Sequence, residues 1–468
     1  MKILFRFLAV TVLFIGFSHS LAVLAADKAL VERGRYIAIA ADCGACHRQA
    51  LNNGVPFAGG YAIESPMGRI IASNITPSKQ YGIGNYSEQQ FAKAVREGIA
   101  ADGKNLYPAM PYTSYRDMTT ADVQALYAYF MQGVEPADIP PSARTDLSFP
   151  FNIRQIMWGW NLLYLSGASA DKAEALPGSL DRGKYLVEVL AHCSACHTPR
   201  NIMMAEQSSL NLAGSPLGGW YAPNITPDKS GIGDWSQRDL VTYLKTGHLV
   251  GKAQAAGAMA EAVENSFSLM TDDDLNAIAS WVKQVPAIPT AVANIGLQSP
   301  RGGVDINSVL IGQGTLTDSS TTDGAKLYEN ACASCHGHDG QGTDDSFYPA
   351  LTRNRAVSAF GPQNLVMVIV EGIQRKTSNT DISMPAFAEQ LNNAQIASVS
   401  NYVRSRFAGI DDKVTAQDVQ TLRDGGEPPF IMRYINWLMT AGILVMVCLL
   451  GGFWYWRKIR RSGRQQIR

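Results

Sequence analysis

Six cysteines fall into three identical trios: Cys43, Cys46 with His47; Cys193, Cys196 with His197; Cys332, Cys335 with His336. A C-x-x-C-H trio can be half a zinc site, a redox dithiol, or the anchor of a c-type haem, whose two thioethers fix the porphyrin while the adjacent imidazole becomes the proximal iron ligand. A thioredoxin-like dithiol needs one pair in a βαβ setting, and zinc wants a fourth ligand close by. The chain has only seven histidines, one of them His19 near the N-terminus. Three trios that each end in His therefore predict three covalent haem c groups, with His47, His197 and His336 on the irons. The seventh cysteine, Cys448, lies in an apolar run and reads as a packing residue.

A His-ligated haem that transfers electrons usually takes Met on its far face. Three helix starts supply a ruler for it, since Thr119 to Asp122, Thr271 to Asp274 and Asn392 to Gln395 all read as capping-box-like ends. Met110, Met259 and Met384 precede Met118, Met270 and Leu391 by 8, 11 and 7 residues. They are the predicted distal ligands, and the Pro after Met110 and Met384 restricts the loop there. His248 is the competitor of Met259. His192 and His338 stand too near their attachment motifs to reach the opposite haem face and read as local hydrogen-bonding residues, whereas Met118 and Met270 read as packing residues.

Helices must position these groups. Leu30, Gly34, Ile37 and Ala41 form a stripe running into the first trio, as do Gly183, Leu186 and Leu190 before the second. Closing helices are marked by Val123, Leu126, Tyr127 and Phe130, by Leu275, Ile278, Ala279 and Val282, and by Ile396, Val399, Ser400 and Val403. "RGRYIAIAADCGACH" from Arg33 matches "RGKYLVEVLAHCSACH" from Arg182, and the N-I-T-P stretches at 74 and 224 recur with them. That recurrence marks both N-I-T sequons as loop structure near haem rather than glycan sites. At 468 residues, with roughly 150 residues per domain, about three domains are expected. The fold class is mainly α, three tandem class I cytochrome c-like domains plus one C-terminal transmembrane helix. The expected boundaries are a signal peptide at 1–26, domains at 27–135, 179–286 and 323–410, a structured connector at 136–178, a linker at 287–322 and a juxtamembrane segment at 411–434. The span is 435–456 and the basic tail 457–468. The connector is too aromatic for a disordered linker; it either joins the units or contacts another subunit.

The N-terminus has Lys2 and Arg6, an apolar run, then Ala22, Ala25 and Ala26, the layout of a secretory signal, with an uncleaved anchor as the alternative. Residues 435–456 carry no charge and are long enough for the ~20 residues that cross a bilayer core. Trp437 stands near one edge and Trp454, Tyr455 and Trp456 at the other. The tail, with Arg457, Lys458, Arg460, Arg461, Arg464 and Arg468 and no acid, is expected in the cytoplasm, and everything before the span is expected to be exported. Without the two basic residues of the leader and six of the tail, 32 basic residues face 40 acidic ones, which argues against nucleic acid as a partner.

Taken with the two homologous haem units, the segments "FPFNIRQIMWGWNLLYL" at 149–165 and "VTAQDVQTLRDGG" at 414–426 resemble the triheme cytochrome c subunit of bacterial membrane-bound periplasmic dehydrogenases of the alcohol, aldehyde, gluconate, sorbitol and fructose oxidising type. The resemblance covers about residues 29 to 425. It implies a catalytic partner subunit of flavin, PQQ or molybdenum type, with a small subunit in some complexes, and ubiquinone as the electron acceptor in the bacterial inner membrane. No G-x-G-x-x-G follows a strand, so no substrate-oxidising site is expected in this chain. A freestanding membrane-anchored shuttle to an oxidase, and a peroxidase with an open iron position, are the other readings. The expected quinone region is Phe430 to Trp437, where the third unit meets the bilayer.

Overall fold

The computed structural model describes residues 27–49, 54–165, 178–290, 320–378 and 380–465, with side chains to 457. The expected leader and most of the linker lie outside these residues.

Unit one runs from α1 (27–40) into α2 (Cys43–Cys46), a hairpin of β1 (Ala62–Ser65) and β2 (Gly68–Ile71), then α3 (Glu88–Glu97), α4 (Tyr112–Tyr115) and α5 (Thr120–Ala128). The connector adds β3 (Asp146–Leu147) to the edge of β2 and then forms α6 (Ile156–Tyr164). Unit two comprises α7 (Leu180–Tyr185), α8 (Ser194–His197), the β4–β5 hairpin (Ser215–Leu217, Trp220–Ala222), α9 (Gln237–Thr246), the β6–β7 hairpin (His248–Leu249, Ala253–Gln254), α10 (Gly257–Asn265) and α11 (Asp272–Val282). Unit three has α12 (Gly324–Ala331), α13 (Ala333–His336), α14 (Arg355–Ser358), α15 (Gln363–Glu371), the β8–β9 hairpin (Ile373–Lys376, Asp381–Met384) and α16 (Asn393–Ala408). α17 (Ala416–Arg423) packs back on α16, and α18 (Phe430–Gln465) follows. The molecule is mainly helical, as its periodicity predicts.

In each unit the opening helix crosses the closing helix at a glycine. A Cβ on Gly34 would stand 1.9 Å from the Ala125 carbonyl oxygen, one on Gly183 2.1 Å from that of Ala277, and one on Gly324 2.3 Å from that of Ser398. Bare backbone contact is the only way these pairs come so close. The closing helices are capped at the expected residues, the side chains of Thr119, Thr271 and Asn392 accepting from the backbone N–H groups of Asp122, Asp274 and Gln395, but only Asn392 with Gln395 forms the full capping box, because Asp122 and Asp274 turn to Arg and Tyr partners. Leu30, grouped with the apolar stripe of α1, is instead exposed, because residues 27–30 precede the crossing at Gly34.

Units one and two share one apolar core, in which Ile37, Phe91, Leu126 and Phe130 meet Leu186, Leu190, Leu275 and Val282. Reciprocal polar contacts close the seam. Asp122 accepts from Arg33 of its own unit and from the Tyr185 hydroxyl of the other, both at 2.7 Å. Asp274 accepts from Arg182 at 2.8 Å and from the Tyr36 hydroxyl at 2.7 Å. α6 packs across the same pair: Asn161 accepts from the Tyr112 hydroxyl of unit one at 2.8 Å, and the Trp160 indole donates to the Met203 carbonyl of unit two at 2.9 Å. Unit three has a separate core around Tyr328, Val366, Ile396, Val403 and Phe407. Its junction with unit two is polar, with Asn364 pairing both backbone groups of Tyr221 at 2.9 Å.

Residues 430–457 form the one stretch, among the described residues, long and apolar enough to cross a membrane, with mean hydropathy 2.0, and its most apolar window has no buried residue.

Candidate haem sites

Each attachment trio winds through one helical turn. In unit one the turn is α2 with His47 at its C-cap; α8 and α13 instead have Cys193 and Cys332 at their N-caps and end on His197 and His336. The residue ahead of the first cysteine adopts left-handed backbone in the two homologous units, Asp42 at φ 51° and His192 at φ 38°. Asp and His both tolerate that region better than most non-glycine residues.

The imidazoles are oriented in one way three times over. Nδ1 of His47 lies 2.7 Å from the Ser73 carbonyl oxygen, that of His197 2.7 Å from Pro223, and that of His336 2.9 Å from Pro349. A carbonyl only accepts, so Nδ1 carries the proton and donates, and Nε2 keeps the lone pair that an iron requires. Burial lowers the pKa of all three rings, which favours the neutral form that ligates.

The N-I-T sequences hold two of those carbonyls. Asn74 accepts from both the backbone and hydroxyl of Thr76 and donates to Ala137 at 2.8 Å. Asn224 accepts likewise from Thr226 and donates to Ile288 at 2.8 Å. Both asparagines are buried, 8% and 3% exposed, and directly follow Ser73 and Pro223. The sequons are thus the buckle that fixes the acceptor for His47 and His197.

Burial pushes the thiols of Cys43, Cys193 and Cys332 up to about 12 and that of Cys46 up to about 11. A redox dithiol has a depressed thiol pKa, so the direction of these shifts opposes that alternative. Among the described residues no three His, Cys, Asp or Glu side chains converge to hold a metal ion.

The three methionines border the same cores as the cysteines. Met110 and Cys43, and Met259 and Cys193, pack on the core shared by units one and two; Met384 and Cys332 pack on that of unit three. Their local settings differ. Met110 sits in a turn, its N–H donating to the Tyr107 carbonyl; Met259 is in the first turn of α10; Met384 ends β9. That difference explains the unequal spacing to the closing helices. Met118 and Met270 are 2% and 1% exposed at the helix entries. His248 is the first residue of β6, its Nδ1 without a partner, and burial followed by the nearby Arg375 charge lowers its pKa. His192 lies edge-on to Tyr115 at 5.5 Å, with burial pushing it down to about 4. His338, half exposed, pairs with the buried carboxyl of Glu329.

The residues fit a covalent haem: paired free thiols, an imidazole with only Nε2 free, and a thioether on a separate element. In unit two the Trp235 indole N–H is buried without a partner, a donor suited to a haem carboxylate. Sequence reasoning missed the carbonyls behind the histidines, although the repeated N-I-T-P was their signal. It also missed the Asp122 and Asp274 clamps, whose sign was an Asp at the same place after both helix caps, and it had no signal for Arg375.

Residues 31–133 and 180–286 match the family model described as cytochrome c, and residues 319–403 match one described as cytochrome C oxidase, cbb3-type, subunit III. A fructose dehydrogenase cytochrome subunit of Gluconobacter japonicus is 43% identical, over 94% of this chain and 93% of its own length. The alcohol dehydrogenase (quinone), cytochrome c subunit of Komagataeibacter europaeus is 39% identical over 86% of each chain. The gluconate 2-dehydrogenase cytochrome c subunit of Pantoea cypripedii is 38% identical over 86% of this chain and 92% of its own.

Proposed function

This chain belongs to the cytochrome c subunits of dehydrogenase complexes, and from that premise we propose that it takes electrons from a catalytic dehydrogenase subunit over three covalent haems to ubiquinone in the membrane. The observation that supports this best is the threefold recurrence of a C-x-x-C-H turn whose histidine donates through Nδ1 to a backbone carbonyl. The haem iron supplies one-electron transfer, and the protein's part is ligation, burial and placement. His47 with Met110, His197 with Met259 and His336 with Met384 are the proposed axial pairs. The neutral imidazoles and the methionine thioethers are the groups that would hold a haem iron here, and a thioether ligand would favour its reduced state.

The proposed domains are 27–135, 179–286 and 323–410, on the periplasmic side of the inner membrane. α18 is the single-pass anchor, and the basic tail lies in the cytoplasm. The proposed quinone region is Phe430 to Trp437, where Phe430 and Tyr434 pair at 4.6 Å and Trp437 is exposed.

The deciding experiment is detergent extraction from the native membrane, identification of copurifying subunits, and the haem spectrum after adding fructose, ethanol or gluconate. Fructose comes first because of the relative at 43% identity. A copurifying dehydrogenase whose substrate reduces all three haems is the expected result. A cytochrome that purifies alone and stays oxidised would replace this reading with a freestanding shuttle.

A further inference from the structure

The β8–β9 hairpin of unit three inserts a cation into unit two. On β8, Ile373 and Arg375 are buried while Gln374 and Lys376 are exposed. Arg375 is 1% exposed, donating through Nη1 to the Ala255 carbonyl at 2.7 Å and through Nη2 to Gln254 Oε1 at 3.0 Å, while its Nε has no partner. Both acceptors are neutral. The carboxylate acting on it through space, Glu264, stands on α10. Gly247, at φ 69°, makes room for the side chain: a Cβ there would stand 2.6 Å from Arg375 Nε.

The positions of these contacts matter. Gln254 and Ala255 are the last residues before the turn into α10, whose first turn carries Met259. On the other side, Ile373 pairs with Met384, the last residue of β9, and α10 packs on β8. One guanidinium thus ties the strand leading to Met259 to the hairpin that ends in Met384. An apolar side chain would fill this place without the cost of burying a charge beside neutral acceptors. A fixed positive charge in a low-dielectric interior would also disfavour the more positive, oxidised form of an iron held beside Met259.

We propose that Arg375 is a positioning residue that couples the haem sites of units two and three, holding the Met259 helix and the Met384 hairpin in one register and raising the reduction potential of the unit-two site. The proposal rests on the axial roles assigned above to Met259 and Met384.

The test is a spectroelectrochemical titration of the full-length chain in detergent, with the charge-transfer absorption that reports Met–iron bonding recorded in the oxidised form. The variants are Met259→Ala, Met384→Ala, Arg375→Gln, Arg375→Lys and Arg375→Gln with Met384→Ala. The two methionine variants identify the waves of units two and three. Arg375→Gln is expected to lower the unit-two wave by at least tenfold in the reduced-to-oxidised ratio at fixed potential, which is about 59 mV for one electron. Arg375→Lys, which keeps the charge, recovers most of that shift and retains all three haems. Met384→Ala is expected to move the unit-two wave in the parent protein but not in Arg375→Gln. A unit-two wave that stays within twofold in Arg375→Gln, equal displacement in the Gln and Lys variants, or a Met384→Ala effect on unit two that is the same without Arg375 would each overturn the coupling while leaving the ligand assignment intact. Methionine variants that move no wave would overturn the ligand assignment and the coupling with it.

Discussion

At the scale of the residue, His47, His197 and His336, the proposed proximal ligands, are set by backbone rather than by side-chain partners. A carbonyl cannot change protonation or rotate away, so each imidazole stays in one tautomer and one orientation. For unit one, Asn74→Ala removes the side chain that organises the loop behind Ser73, and the expected outcome is a lowered, broadened unit-one wave in redox titration with three haems still attached. On the distal side, Met259→Leu is expected to abolish one share of the Met–iron charge-transfer absorption and lower one potential, whereas His248→Ala leaves both unchanged. The reverse pattern would assign the ligand to His248. The buried, unpartnered Nδ1 of His248 is what keeps that competition worth testing.

At the scale of the element, the three helix crossings depend on glycine, and the seam between units one and two depends on two aspartates. Gly34→Val and Gly183→Val force a side chain into backbone 1.9 Å and 2.1 Å away. Overpacking of this kind costs about 1–3 kcal/mol and often more. Both variants are expected to lower the melting temperature followed by Soret circular dichroism and to yield less haem-loaded protein. Tyr36→Phe and Tyr185→Phe remove hydroxyl donors to Asp274 and Asp122 at 2.7 Å. A hydrogen bond to a charged group contributes about 1.5–3 kcal/mol. Each loss is expected to destabilise units one and two together, visible as a downward shift of one shared calorimetric transition. A shift confined to one unit would show that the seam is not cooperative.

At the scale of the whole molecule, two units form one body around a continuous core, and the third joins through polar contacts and a buried arginine. Calorimetry of the loaded protein is therefore expected to show units one and two melting in a single transition, with unit three in another. Deleting residues 428–468 removes α18, whose exposed apolar surface needs a bilayer or detergent. The expected result is a three-haem protein that stays in solution without detergent and no longer reduces ubiquinone in membranes.

The sequence by itself determined the chemistry that depends on covalent order. Two thiols and an imidazole within five residues, three times over, point to haem c because the attachment turn is local, and an uncharged run such as 435–456 declares its apolar surface without any partner. The repeat made the helical units legible, since amphipathic periodicity and caps are also local. What only the tertiary structure decided is what meets across long separations: the carbonyl 26 residues from His47, the exchange of tyrosines between units, and Arg375 inside a unit whose chain ended some 90 residues earlier. Such contacts are selected by packing of whole surfaces, and a buried cation such as Arg375 reads in sequence as an ordinary strand arginine because nothing in its neighbours announces the neutral pocket that receives it.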